Sequence, residues 1–443
     1  MGTSRTAALL LLIATALLSL SEPGRAQGLS SWGRRDAQPE VAYPDVTVTT
    51  EWLVRHNGES GVVVVDARPE SSYLSGHIPG AVSLPARVLP VVCSVEDVRS
   101  LGGSLGAFGV TGTELLICCG ETSWSAEAAT LFWLLELAGA ERAAILDGGV
   151  TGWLADARPL SVEPTRARGA GWSREPDVQL LATLDHVVSS YGADGVEIID
   201  ARGRYEWGGP IERDEWECPP RAGHIPHALP FDFTVFFHPD GFMRTPAETR
   251  SEFARLGPRP ANPVDLASEF VVHGDGFVSD GAIGYFLLRR AGLERVRYYP
   301  GGWGEWSTDL GLPVVRIVGA DELMWRLSKG RRLFASDAPA SGFAFFDVRH
   351  PADYARGHIR GSVSLRSDHF ADSLDTRLER FWPKLDRKRA PVVTYCYGEY
   401  CIRSRGTSTD AARAGFVRVE RFYGGLDEWQ AAGGRLVTSV WKG

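Results

Sequence analysis

The chain carries one pattern three times, at a spacing of about 140 residues, so its fold must be one unit built in triplicate. The first copy has Val62-Val63-Val64-Val65-Asp66-Ala67-Arg68, then Gly76-His77-Ile78-Pro79-Gly80-Ala81. The second has Ile198-Ile199-Asp200-Ala201-Arg202, then Gly223-His224-Ile225-Pro226-His227-Ala228. The third has Phe345-Phe346-Asp347-Val348-Arg349, then Gly357-His358-Ile359-Arg360-Gly361-Ser362. Each copy closes on a glycine pair followed by tryptophan: Gly148-Gly149 with Trp153, Gly301-Gly302 with Trp306, and Gly424-Gly425 with Trp429.

Each piece has a local physical reading. Short runs of consecutive apolar residues with a polar stop suit strands buried on both faces. Asp-x-Arg falls where such a strand ends. A Gly-Gly pair serves free backbone angles or close chain approach. Helical patterns such as Ala126 to Leu137 and Gly281 to Ala291 lie between the markers. Strands alternating with helices predict an α/β fold, each unit a parallel sheet flanked by helices. The recurrent His77, His224 and His358 predict a turn-stabilising role; Trp153, Trp306 and Trp429 predict packing.

Boundaries follow from composition. Arg5, the apolar run Ala7 to Leu20 and the small residues Gly24 and Ala26 predict a secretory signal over residues 1–26. That run is too short for a comfortable membrane span, so no stable insertion is expected after its removal. Residues 27–45 read as a linker, 46–160 as domain 1, and 161–178 as a second linker. Residues 179–317 read as domain 2, with a charged insertion over Gly208 to Pro220, and 318–443 as domain 3. Export predicts a periplasmic or secreted protein in an oxidising compartment, where the six cysteines are sparse. A net charge of −8 without a long basic run argues against nucleic acid as a partner.

Asp-x-Arg, Gly-His-Ile-Pro-Gly-Ala and Gly-Gly-x-x-x-Trp, in this order, resemble the rhodanese (thiosulfate sulfurtransferase) domain over nearly all of residues 46–440. The resemblance implies three tandem rhodanese-like domains and a catalytic cysteine at a strand end, opening a tight loop into a helix. General physics favours such a place, since a helix start offers free N–H groups and the positive end of its dipole. Copy three supplies it: Pro391 to Tyr395 reads as the strand, Cys396 follows, and Arg403-Ser404 lie further on. In the usual loop, C-x-x-G-x-R-S, the Arg-Ser comes two positions sooner, which widens the cradle expected here.

The resemblance implies Cys396 as the nucleophile that holds a persulfide sulfur. The loop Tyr397, Gly398, Glu399, Tyr400, Cys401 and Ile402 would present amides to an anion, and Arg403 would add charge. Asp347 and Arg349 would hold the loop. Glu399 is awkward beside an anion unless it faces away. Cys401 has three open readings: a resolving thiol, a permanent disulfide clip to Cys396, or a plain loop cysteine. Copy two lacks a cysteine at Phe270 to Gly276 and reads as silent. Copy one offers Cys119 as a second thiol, or a disulfide from Cys93 to Cys118 or Cys119.

These features predict a sulfurtransferase, with thiosulfate as a fitting small sulfur donor and a thiol or cyanide as acceptor. No cofactor and no metal is required, and a protein partner is compatible. A redox or binding module built on the Cys396/Cys401 pair is the alternative. A phosphatase or arsenate reductase is weaker, because Arg403 lies one position beyond C-x5-R. The enzymatic reading depends on an exposed Cys396 sulfhydryl ringed by converging donors.

Overall fold

The computed structural model describes residues 46–165, 169–208, 221–255, 264–330, 342–399 and 401–438. The leader, the first linker, most of the Gly208–Pro220 insertion, Cys218 and Tyr400 lie outside them.

The apolar runs form parallel strands in one repeated order. Copy one orders Thr47–Val48, Arg142–Leu146, Leu115–Cys119, Val62–Asp66 and Val82–Ser83. Copy three repeats it with Val314–Val318, Arg418–Phe422, Val392–Tyr395, Ala344–Asp347 and Val363–Ser364. Copy two has Val296–Tyr299, Glu269–His273, Val196–Asp200 and Leu229–Pro230, with Leu181 bridging Tyr298 where the others place their outer strand. The central strands are buried on both faces because helices cover each side, which accounts for their unbroken hydrophobicity.

The recurrent motifs do identical work in each copy. Arg68, Arg202 and Arg349 each fold back on the aspartate two residues earlier and donate to the carbonyl of Gly76, Gly223 or Gly357 at 2.6–2.8 Å. His77, His224 and His358 stack on Tyr73, Trp207 and Tyr354, with Nδ1 2.7–2.9 Å from the same residue's carbonyl. Trp153, Trp306 and Trp429 donate through Nε1 to Pro159, Pro313 and Arg435.

Two shared cores join the three units. The helix Ala126–Leu137 is apolar nearly all round because it lies between its own sheet and the copy-two helix Asp280–Arg290. Phe132 meets Phe286 edge-on at 5.3 Å, and Glu136 takes the Tyr285 hydroxyl and the Arg289 guanidinium. Fully burying a side chain of this size contributes about 1.5–3 kcal/mol. Copy three docks its helix Ile402–Arg413 on copy two: Arg405 pairs with Glu197 at 2.8 Å and donates to the His227 carbonyl, and Arg413 donates to the Tyr191 carbonyl.

The segments between the expected domains make contacts of their own. Residues 169–178 are fastened to copy one, Ala170 to Gly106, Trp172 to Ala138 and Asp177 to Leu137. Ser161 pairs with His77, so it closes copy one. The division at 317/318 falls inside the strand Val314–Val318. Val315 bridges His224 of copy two while the same strand pairs with Arg418–Phe422 of copy three.

Candidate functional site

The third sheet ends at Tyr395, whose hydroxyl donates to Asp347 at 2.6 Å. Asp347 also holds Arg349, whose guanidinium lies 5.3 Å from the Tyr397 ring. Burial opposes the Arg349 charge, but Asp347 outweighs it and the pKa stands above its ordinary value. Asp347 and Arg349 thus form a buried floor under the loop.

Cys396 leaves that floor. Its carbonyl accepts from Leu426 N and the Tyr397 carbonyl from Asp427 N, which lashes the loop to the Gly-Gly helix. The lashing fixes Gly425: its φ is +55°, and a β-carbon there would stand 2.5 Å from the Cys396 carbonyl oxygen. Gly149 and Gly302 make the same contact with the Gly120 and Gly274 carbonyls. These contacts align the copies independently of sequence: Cys396 corresponds to Gly120 and Gly274.

That alignment corrects the reading of Cys119. In the ladder Cys119 lies opposite Asp66, as His273 lies opposite Asp200 and Tyr395 opposite Asp347. Cys119 therefore ends the strand one position before the site, fully buried. Burial, reinforced by Asp66, pushes its thiol far above the usual range. Cys93, Cys118 and Cys119 are free, so neither disulfide considered for copy one is formed.

Cys401 marks the helix start, and it is disulfide-bonded to Cys396 across a Cα separation of 6.2 Å. The exposed, free sulfhydryl expected at 396 is not what the structure holds: Cys396 is 1% exposed and Cys401 6%, both within the copy-two/copy-three core. The short loop brings the two sulfurs together and turns both inward. The Cys401 amide donates to the Gly398 carbonyl at 3.1 Å instead of facing the Cys396 sulfur.

The equivalents of Cys401 are serines. Ser125 and Ser279 stand five residues after Gly120 and Gly274, as Cys401 stands five after Cys396. Each serine caps its helix by accepting a first-turn N–H, from Ala128 and Gly281, whereas the Cys401 side chain caps no N–H of Ile402–Arg413. A lost cap costs about 1 kcal/mol. The strand-to-helix spacing is equal in all three copies, so the copy-three loop is no wider than its neighbours. Arg403 and Ser404 lie inside the first helical turn, with Arg403 and Ile402 exposed.

The rim is more acidic than the sequence implies. Tyr397 donates to Asp353 at 2.5 Å, and Gly398 carries no side chain because the Asp427 carboxylate lies over it. Glu399 pairs with Arg204 of copy two. Trp207 of copy two packs edge-on against Tyr423 at 5.9 Å, so the second unit walls the third unit's site.

Sequence reasoning missed Arg421. It occupies the strand position of Tyr298 in copy two and Ile145 in copy one. Arg421 is 4% exposed, donates to Ser404 Oγ at 3.3 Å, and leaves its Nε without a partner among the described residues. Its neighbour Glu420, on the opposite face, is met by Arg316 and Arg326, but no described carboxylate pairs with Arg421. The available signal was Arg421 directly after Glu420 in Val417-Arg418-Val419-Glu420-Arg421-Phe422, where charge breaks the apolar alternation.

Comparison with known proteins agrees with this architecture. The family model described as "Rhodanese-like domain" matches residues 49–156, 183–309 and 332–432. The thiosulfate sulfurtransferase of Azotobacter vinelandii is 30% identical over 259 residues, 57% of this chain and 90% of the relative. That of Corynebacterium glutamicum is 28% identical over 290 residues, 62% and 92% of the two chains. The solved anaerobic ergothioneine biosynthesis enzyme from Chlorobium limicola, in complex with trimethyl histidine, is 21% identical with a TM-score of 0.53. The match covers 63% of this chain and 72% of that one, and it shows the common fold.

Proposed function

The chain belongs to the rhodanese-like family and is a rhodanese-type enzyme, and from this premise we propose that it moves a sulfane sulfur through a persulfide on Cys396. The observation that carries the reading is the position of this sulfur: Cys396 stands at the strand-to-helix junction where the other two copies have glycine.

In the reduced protein the Cys396 thiolate attacks the outer sulfur of a donor such as thiosulfate. The S–S bond breaks, sulfite leaves with the bonding electrons, and Cys396 holds the sulfur. A thiol or cyanide then takes it, so one transfer becomes two displacements. The first turn of Ile402–Arg413 supplies N–H groups and the positive dipole end, and exposed Arg403 adds charge for a donor's oxyanion. Asp347 and Arg349 keep the floor rigid. The disulfide and the burial of Cys396 make reduction, with the loop turning its sulfur outward, a precondition.

The test is steady-state kinetics on dithiol-reduced protein with thiosulfate and cyanide. Parallel double-reciprocal lines and loss of turnover in Cys396→Ala are expected. Equal turnover by that variant and the wild type overturns the reading.

The Cys396–Cys401 bond favours a second reading, a dithiol–disulfide module without sulfur transfer. Thiol counts with and without a physiological dithiol, beside thiosulfate turnover, separate the two, since a bond that opens and closes without any sulfur uptake favours the module. The signal-like run Ala7 to Leu20 supports placement outside the cytoplasm, which fractionation with and without residues 1–26 tests.

A further inference from the structure

We infer that Cys401 is a resolving thiol that discharges the Cys396 persulfide internally, releasing sulfide and leaving the Cys396–Cys401 disulfide. The inference rests on the persulfide reading above and adds a product, inorganic sulfide, and a second substrate class, a dithiol reductant.

Three observations point to it. The first is reach: the two sulfurs are already bonded, so the thiol of the reduced Cys401 lies within attacking range of Cys396 with little backbone change. The second is position. Cys401 replaces the capping serine found at the same place in both other copies, and its side chain makes no cap. A sulfur stands at the capping position only in the copy that has a sulfur at the junction. The third is charge. Arg421, buried and without a carboxylate partner among the described residues, donates to Ser404 Oγ, and Ser404 Oγ donates to the Cys401 carbonyl at 3.2 Å. Tyr298 and Ile145 fill that place in the other copies, so the cation accompanies the thiols.

Burial lowers the Arg421 pKa to about 10, which leaves it cationic at neutral pH. A cation and a helix start beside Cys401 favour its thiolate. The titratable and charged groups around Arg421 are Arg405 and Tyr423 of its own copy and, across the interface, His224 and His227 of copy two. Burial of both cysteines also makes the internal thiol nearer to the persulfide than any bulky acceptor outside.

The chemistry balances. Donor thiosulfate loads Cys396 and leaves as sulfite. The Cys401 thiol then attacks the inner sulfur, Cys396 Sγ. A Cys396–Cys401 S–S bond forms, the bond to the outer sulfur breaks, and that sulfur leaves as HS⁻ carrying the Cys401 proton. The sulfane sulfur is reduced and the two cysteines are oxidised. A dithiol resets the pair by exchange and leaves as its own disulfide.

The test is a single turnover of reduced, desalted protein with thiosulfate under anaerobic conditions, reading sulfide and the state of residues 396 and 401 by mass. Wild type is expected to release about one sulfide per chain and to close the disulfide, a stoichiometry fixed by the single pair. Cys401→Ser, which restores the residue of the other copies, is expected to hold the sulfur on Cys396 and to release no sulfide until an external thiol is added. A wild-type protein that keeps its persulfide beside a free Cys401, or a serine variant that releases sulfide as wild type does, overturns the inference and leaves the persulfide reading standing. Failure of both proteins to take up sulfur overturns the persulfide reading, and this inference with it.

Discussion

The Arg421 guanidinium donates to the Ser404 hydroxyl at 3.3 Å, and through that hydroxyl it is one hydrogen bond from the Cys401 carbonyl. A buried cation is thereby fixed beneath the first turn of the helix that carries the candidate site.

Replacing it with a neutral side chain of similar length tests what the charge does. In Arg421→Met the thiols of the reduced protein lose a favourable neighbour. The pH midpoint of their alkylation is expected to rise by about one unit. An unchanged midpoint means that Arg421 serves packing alone.

The contact between Gly425 and Cys396 sets a steric limit. Gly425→Ala would force a side chain into the left-handed region and against a carbonyl oxygen 2.5 Å away. A loss of about 1–3 kcal/mol is expected, read from the denaturant midpoint. An unaltered midpoint would mean that the loop yields easily.

The copy-two/copy-three interface carries charge at two depths. Glu399 and Arg204 are partly exposed, so Glu399→Gln is expected to cost about 0–1 kcal/mol after solvent screening. Glu197 faces Arg405, whose pKa burial lowers. Removing its carboxylate strands a buried cation, and Glu197→Gln is expected to cost about 3 kcal/mol or more. Equal effects in chemical denaturation contradict this assignment.

Acid is expected to loosen the same interface. Burial, with Arg421 against His224 and Arg405 against His227, lowers both histidine pKa values to about 3 from 6.5. The unfolded chain binds these protons first as pH falls. Stability is therefore complete above about pH 6.5 and declines toward pH 3, by up to about 1.4 kcal/mol per pH unit per histidine. A melting temperature that is flat between pH 6.5 and pH 4 contradicts the assignment.

Much of the architecture was legible because each motif encodes a local necessity. Asp-x-Arg marks a strand end where the arginine folds back, and Gly-Gly marks two chains in contact. The place of Cys396 directly after a strand was legible from the same frame. Cys119 misled because it ends its strand opposite Asp66, which leaves the junction one position further on to Gly120. The five-residue spacing from Gly120 to Ser125, Gly274 to Ser279 and Cys396 to Cys401 would have separated them. Whether Cys396 is exposed or bonded depends on how the loop turns, which composition does not encode. Arg421 was hidden because adjacent residues of a strand covered on both sides face opposite ways, so its charged neighbour Glu420 gives no sign of what Arg421 faces.

The central claim is that Cys396 accepts sulfur once its bond to Cys401 is opened. The most direct measurement is the peptide-level mass of Cys396 in Cys401→Ser protein treated with thiosulfate, beside oxidised wild type. The account predicts one added sulfur atom on Cys396 of the variant and none on the oxidised protein. An unmodified Cys396 in the variant, with sulfur elsewhere or nowhere, would contradict it.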